Sequence, residues 1–230
     1  MPAFCPCVLV QSIGQGKPGR SRARQLNAMI DNEAYTMERT LNRQNIDSVI
    51  QDYVYSIEGI GDMISGLKGV SLFHCLKRQQ VGTGPYPHVT LFEAANRIMT
   101  DLVILKGVKW LLDTHTFPFD EYVVEYGNED SNDHDITASK GDQKLYGEAF
   151  NVAPSFFQGK KAPMLKKLRS SKSVANYKVI VANSDAIDES YSPKVQKGEY
   201  YVFVNVESGE VKLIPNNQEK EVSCQKDPLN

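Results

Sequence analysis

From Met37 to Leu67 the apolar residues Leu41, Ile46, Val49, Ile50, Tyr53, Val54 and Ile57 recur every three to four positions. That period is helical. Gly59 and Gly61 interrupt it, so the spacing predicts a helical pair. The stretch VGTGPYPH over 81–88 reads as a loop by its glycines and prolines. Thr90 and Glu93 then match a capping box, in which hydroxyl and carboxylate satisfy reciprocal orphan amides. Behind it, Leu91, Ala95, Ile98, Leu102, Leu105 and Leu112 form one apolar stripe ending near Asp113. Beyond that the period falls to two. Residues 119–127, 133–140 and 143–153 read as strands, with the polar loop NEDSND between the first two. A helix carrying Leu165 and Leu168 is expected after Pro163. Strands follow over 177–184 and 199–208, the second turning at Ser208-Gly209 into EVKLI.

These elements predict an α/β fold, a mixed β-sheet flanked by helices, with a helical N-terminal extension. The expected organisation is a flexible basic segment over 1–25, a helical region over 26–80, an α/β core over 81–215 and a polar tail over 216–230. Neither internal repeats nor low-complexity segments occur.

Composition narrows the function classes. The 230-residue chain has 41% hydrophobic and 23% charged residues, ordinary for a soluble domain. No apolar run approaches the roughly 18 residues that span a bilayer, so an integral membrane protein is not expected. The start MPAFCPCVLV lacks a basic region before its apolar patch, so no signal peptide is expected. Cys5 and Cys7 are one residue apart, Cys75 and Cys224 are isolated, and the four histidines are scattered. Such spacings fit neither a disulfide scaffold nor a structural zinc site, and a reducing, cytoplasmic compartment is expected.

The net charge of −2 conceals an uneven distribution. Lys17, Arg20, Arg22 and Arg24 form a basic cluster that is either a solvated tail or a nucleic-acid-contacting arm. Between residues 160 and 178 lie Lys160, Lys161, Lys166, Lys167, Arg169, Lys172 and Lys178, without one Asp or Glu. Such a block is often a solvated face. It also suits phosphate contacts, which supply salt-sensitive, sequence-independent affinity for nucleic acid.

The stretch DHDITASKGDQKLYGEAFNVA makes a geometric prediction. Gly141-Asp142 is a two-residue turn, with Gly supplying the positive φ that type II′ requires first. That register sets Asp135 directly opposite Glu148 on one face, with Cβ atoms about 4.5–5.5 Å apart. Ile136, Ala138, Leu145, Gly147 and Ala149 occupy the other, buried face. Thr137, Ser139, Lys144 and Tyr146 share the carboxylate face, which should be a wet cleft. Two opposed carboxylates repel unless compensated. Mg²⁺ is a natural compensation, since it takes one or two carboxylates plus substrate phosphates. The alternative is a pair of ordinary strand residues partnered by nearby lysines.

An acid opening one hairpin strand, a Glu in the next and a basic helix afterwards resemble the PD-(D/E)XK nuclease superfamily. Type II restriction endonucleases are its best-known members, and the resemblance covers roughly residues 90–184. It implies a restriction-endonuclease-like core that hydrolyses DNA phosphodiesters with Mg²⁺, or Mn²⁺ in its place. Asp135 and Glu148 match the metal ligands, and the carbonyl of Ala149 would be the third. His134-Asp135 stands where the family has Pro before its first acid. Phe150 stands where it has a lysine, and Phe can neither position a water nor offset charge. Some members relocate that lysine, so Lys160 or Lys161 is the expected substitute, with Lys160 orienting the nucleophile. Lys161, Lys166, Lys167, Arg169 and Lys172 would then contact double-stranded DNA. Glu93 resembles the auxiliary acid of some members, but its capping role explains it. A homodimer is implied by analogy with enzymes that cut both strands, the helices before Gly69 being available for the interface.

Two other classes compete with a metal-dependent endonuclease. Phe150 favours a non-catalytic nucleic-acid-binding protein on the same fold; a merely solvated basic block would instead leave a structural or interaction protein. GIGQGKPGRS lacks the P-loop spacing, GEAFNVAPS lacks a nucleophile elbow, and no dinucleotide fingerprint opens a helix.

Overall fold

The computed structural model describes residues 37–127, 132–170 and 175–215. The expected basic segment 1–25, the polar tail 216–230 and Lys172 lie outside the described residues. The described chain is an α/β fold with seven strands: β1 (Thr40–Asn42), β2 (Glu121–Val124), β3 (Ile136–Lys140), β4 (Gln143–Phe150), β5 (Tyr177–Asn183), β6 (Glu199–Val204) and β7 (Val211–Ile214). Four α-helices accompany them: α1 (Ile46–Ile57), α2 (Gly69–Arg78), α3 (Leu91–Thr114) and α4 (Phe157–Ser170).

The strands lie side by side in chain order. Pairings β1/β2, β2/β3, β3/β4 and β6/β7 are antiparallel, whereas β4/β5 and β5/β6 are parallel. Two successive parallel connections stepping the same way must cross on one face if both are right-handed. Accordingly, α4 and the β5–β6 connection share one apolar cluster, in which Phe157, Leu168, Ala186 and Tyr191 meet Phe150, Ile180 and Phe203. The opposite face carries α3, whose Leu102, Leu105, Val108 and Leu112 pack with Ile136, Leu145, Val181 and Val204. Helix α3 comes close because Gly107 has no side chain. A Cβ there would sit 2.8 Å from Val181 Cγ1.

Helix α3 is buried on more than the one stripe the sequence predicts. Leu102, Val103, Ile104 and Leu105 are all within the core, because α1 and α2 cover the side turned away from the sheet. Its start is as expected: Thr90 Oγ1 accepts the Glu93 N–H at 3.3 Å. The reciprocal arm differs, since the Glu93 carboxylate turns to Arg97 at 2.5 Å. Asp101, fully buried on α3, accepts hydrogen bonds from Tyr53 Oη at 2.6 Å, Tyr86 Oη and the Gly127 N–H at 3.0 Å. A buried carboxylate is tolerated when its lone pairs are filled in this way.

Two segments depart from the periodicity. The expected helical pair over 37–67 begins instead with strand β1, where Leu41 pairs with Tyr122. Asn42 and Asn45 exchange side-chain-to-backbone bonds that turn the chain before α1, a local competition typical of Asn. Gly59 and Gly61 fall in a 3₁₀ helix, Glu58–Ile64, rather than a second α-helix. Helix α4, expected after Pro163, starts at Phe157 behind the 3₁₀ turn Pro154–Phe156 and contains that proline. Phe157, Met164 and Leu168 recur along its sheet-facing side, and this anchoring outweighs the amide lost at Pro163.

Candidate functional site

The β3–β4 hairpin folds in the register the turn residues specify. Lys140 pairs with Gln143, Thr137 with Tyr146 and Ile136 with Gly147. Gly141 takes φ +59°, and Asp142 is not among the positive-φ residues, as a type II′ turn requires. The five residues expected inward are buried. Gly147 is among them because Ile136 Cβ would lie 3.1 Å from any Cβ there.

Extending this register by one residue brings Asp135 to Glu148. Strand β3 begins only at Ile136, so Asp135 sits just ahead of the ladder. Its Oδ2 accepts the Ala149 N–H at 2.7 Å, which ties the first acid to the second strand. Burial pushes the Asp135 carboxyl up to about 6; the Ala149 N–H opposes this shift, and the Glu148 charge adds to it.

Glu148 is not in the expected wet cleft. Its side chain is 3% exposed, because α4 crosses above it. Oε1 meets His134 Nδ1 at 2.6 Å. Lys167 Nζ reaches both oxygens, at 2.9 Å from Oε1 and 3.0 Å from Oε2. The His134 ring is itself buried and stacks on Tyr146, with centroids 4.6 Å apart. Glu148 thus meets an imidazole and an ammonium in the interior, and removing Lys167 would take away the one ammonium that reaches it among the described residues.

Among the described residues, only Lys167 of the cations expected at the site touches an acid of the pair. Lys160 and Lys166 are exposed. Lys161 Nζ donates to Tyr191 Oη at 2.9 Å and lies 5.5 Å from the Phe157 and Tyr191 ring centroids. Arg169 forks onto buried Glu199, Nε to Oε1 at 2.6 Å and Nη2 to Oε2 at 2.9 Å. That pair clamps the end of α4 to the start of β6. Phe150, at the motif-lysine position, is buried against Phe157 with ring centroids 5.8 Å apart.

Sequence reasoning missed His134 and Glu125. His134 precedes β3 in a bend, so strand alternation does not govern where its ring goes. Glu125 had a signal: in EYVVE, residues 121, 123 and 125 alternate onto one face. Its N–H donates to the Asp135 carbonyl at 2.9 Å, which continues the row from β2 to β3. The Glu125 carboxylate is buried, accepts the Asn132 N–H and further raises the Asp135 pKa.

Among the described residues, no group of three or more His, Cys, Asp and Glu side chains converges as a preformed metal cage. Asp135, Glu148 and the main-chain carbonyl of Ala149 offer oxygen donors, the donor type that Mg²⁺ or Mn²⁺ accepts. Buried Asp135 fits such an ion, since a cation would offset the charge that burial disfavours. No helix among the described residues is long and apolar enough to cross a membrane. Comparisons with family models, curated proteins and solved structures find no match to this chain.

Proposed function

We propose that this protein is a metal-dependent DNA endonuclease with a restriction-endonuclease-like core. The observation that carries the proposal is the meeting of Asp135, Glu148 and Lys167 at the β3–β4 hairpin. The order α3-β2-β3-β4-α4-β5, with β4 parallel to β5, supports it by setting a basic helix over the acid-bearing strands.

In this reading Asp135, Glu148 and the Ala149 carbonyl hold Mg²⁺ or Mn²⁺. Such an ion would supply Lewis-acid chemistry to a phosphodiester and to water. His134 orients the Glu148 carboxylate through Nδ1. Lys167 takes the part of the lysine displaced by Phe150, in preference to Lys160, because its ammonium already lies at Glu148. There it offsets charge developing on the phosphate oxygens. Exposed Lys160 and Lys166 contribute phosphate contacts. Cutting both strands calls for two copies of the chain.

The test is cleavage of mixed-sequence plasmid with Mg²⁺ or Mn²⁺ by the wild type, Asp135→Asn, Glu148→Gln and Lys167→Ala. Cutting by the wild type and a loss of about a hundredfold or more in each variant is the expected result, the size typical of removing one charge-stabilising group. Intact plasmid in every lane, with salt-sensitive DNA binding retained, would favour the non-catalytic binding protein. Burial of Phe150 at the lysine position is the observation that supports this second reading.

A further inference from the structure

We propose that Lys167 is the resident counter-ion of Glu148 and competes with the divalent cation for that carboxylate. Metal loading then releases its ammonium toward the substrate's phosphate. This rests on the nuclease reading and concerns how the same site is controlled.

Three features make the two cations rivals. Glu148 is buried, where a carboxylate without a positive partner is costly. Its lone pairs are nearly filled, with His134 on Oε1 and Lys167 on both oxygens. Neither acid is free to swing away, since His134 holds Glu148 and the Ala149 N–H holds Asp135. A divalent ion bound to Glu148 must therefore take an oxygen from Lys167, and the two positive charges would then face each other across a few ångströms.

Lys167 is built to yield. Its side chain is 48% exposed against 3% for Glu148, so the stem can rotate into solvent while buried Leu168 keeps the helix in place. A lysine is a mobile point charge rather than a fixed fork. The contrast with Arg169 is instructive: there a guanidinium grips Glu199 through two nitrogens and serves a permanent clamp. Once displaced, the Lys167 ammonium would turn to the solvent side of Glu148, the side from which a polyanionic substrate would approach. By linkage, whatever draws Lys167 from Glu148 strengthens metal binding to the same degree.

The experiment is Mn²⁺ titration of the full-length protein without nucleic acid, following free Mn²⁺ by electron paramagnetic resonance. Lys167→Met should bind Mn²⁺ at least about fivefold more tightly than the wild type, the low end of typical coupling between linked sites. Lys167→Arg should bind it more weakly, because a guanidinium fork holds the carboxylate more firmly. Lys144→Met, which removes an exposed charge from the same strand without touching Glu148, should change affinity by less than about twofold, as expected for a screened, distant charge. Circular dichroism verifies folding, and the Arg variant carries the test if the Met variant does not fold. Equal or weaker binding by Lys167→Met, or an equal gain in Lys144→Met, would overturn the proposal. If the wild type cleaves plasmid and binds Mn²⁺ yet Lys167→Met is unchanged in affinity, the latch fails while the nuclease stands. Absence of Mn²⁺ binding in every form would overturn both.

Discussion

Asp135 shows at the scale of one residue how a buried carboxyl is kept at a cost to the fold. Its carboxyl ionises near 3.8 when unperturbed and near 6 in the folded protein. The native state therefore holds this proton more tightly than the unfolded chain. The stability that this provides is complete below about pH 4 and is lost as pH rises through about 6. Two units correspond to about 2–3 kcal/mol. Asp135→Asn keeps an oxygen for the Ala149 N–H and removes the charge. We predict that it is about 2 kcal/mol more stable than the wild type at pH 8, and equal to it near pH 4, in urea unfolding followed at the two pH values. A stabilised protein that has lost cleavage would mark Asp135 as held for chemistry. Equal stability at both pH values would show that the carboxyl is not desolvated as the structure has it.

Helix α3 and the strands beneath it illustrate what packing demands of an element. Ala is a better helix former than Gly by about 1 kcal/mol, so Gly107→Ala on an isolated helix would stabilise. Here the new Cβ would come within 2.8 Å of Val181 Cγ1 and 3.5 Å of Val204 Cγ2, both on fully buried strand residues. Overpacking of that kind costs about 1–3 kcal/mol. Gly107→Ala should therefore lower the thermal midpoint despite its propensity gain, as a scanning calorimetry comparison would reveal. An unchanged or raised midpoint would mean that α3 rides further from the sheet.

Across the whole molecule, the basic block divides into cations free to meet a polyanion and cations already engaged. Lys160 and Lys166 are exposed, whereas Arg169 is committed to Glu199. Each lysine–phosphate contact adds about 0.9 to the slope of log affinity against log salt for duplex DNA. Joint replacement of Lys160 and Lys166 by Ala should lower that slope by nearly two, in anisotropy titrations on a mixed-sequence duplex, with the fold's stability intact. Arg169→Ala should do the reverse, costing about 3 kcal/mol by stranding a buried carboxylate while barely altering the slope. A slope insensitive to the lysine pair would remove α4 from the proposed DNA-binding surface.

How much was legible in the sequence follows from which forces are local. The type II′ turn at Gly141-Asp142 and the alternation around it depend on neighbours in the chain. Together they determined the β3–β4 register, the inward face and the adjacency of Asp135 and Glu148. The α/β class, the capped start of α3 and the separation of strands from helices were readable for the same reason. The tertiary structure decided what covers each element. A segment with helical spacing became β1 because Tyr122 offered a partner for Leu41, and the apolar stripe of α3 became a helix buried on several sides because α1 and α2 close over it. The same holds at the site. Seven basic residues between 160 and 178 look alike in one dimension, and only the docking of α4 through Phe157 and Leu168 singles out Lys167 for Glu148 and Arg169 for Glu199. Turn chemistry and side-chain period act over a few residues, whereas counter-ion choice is made across 19 and 30 positions of chain, where packing alone sets the distance.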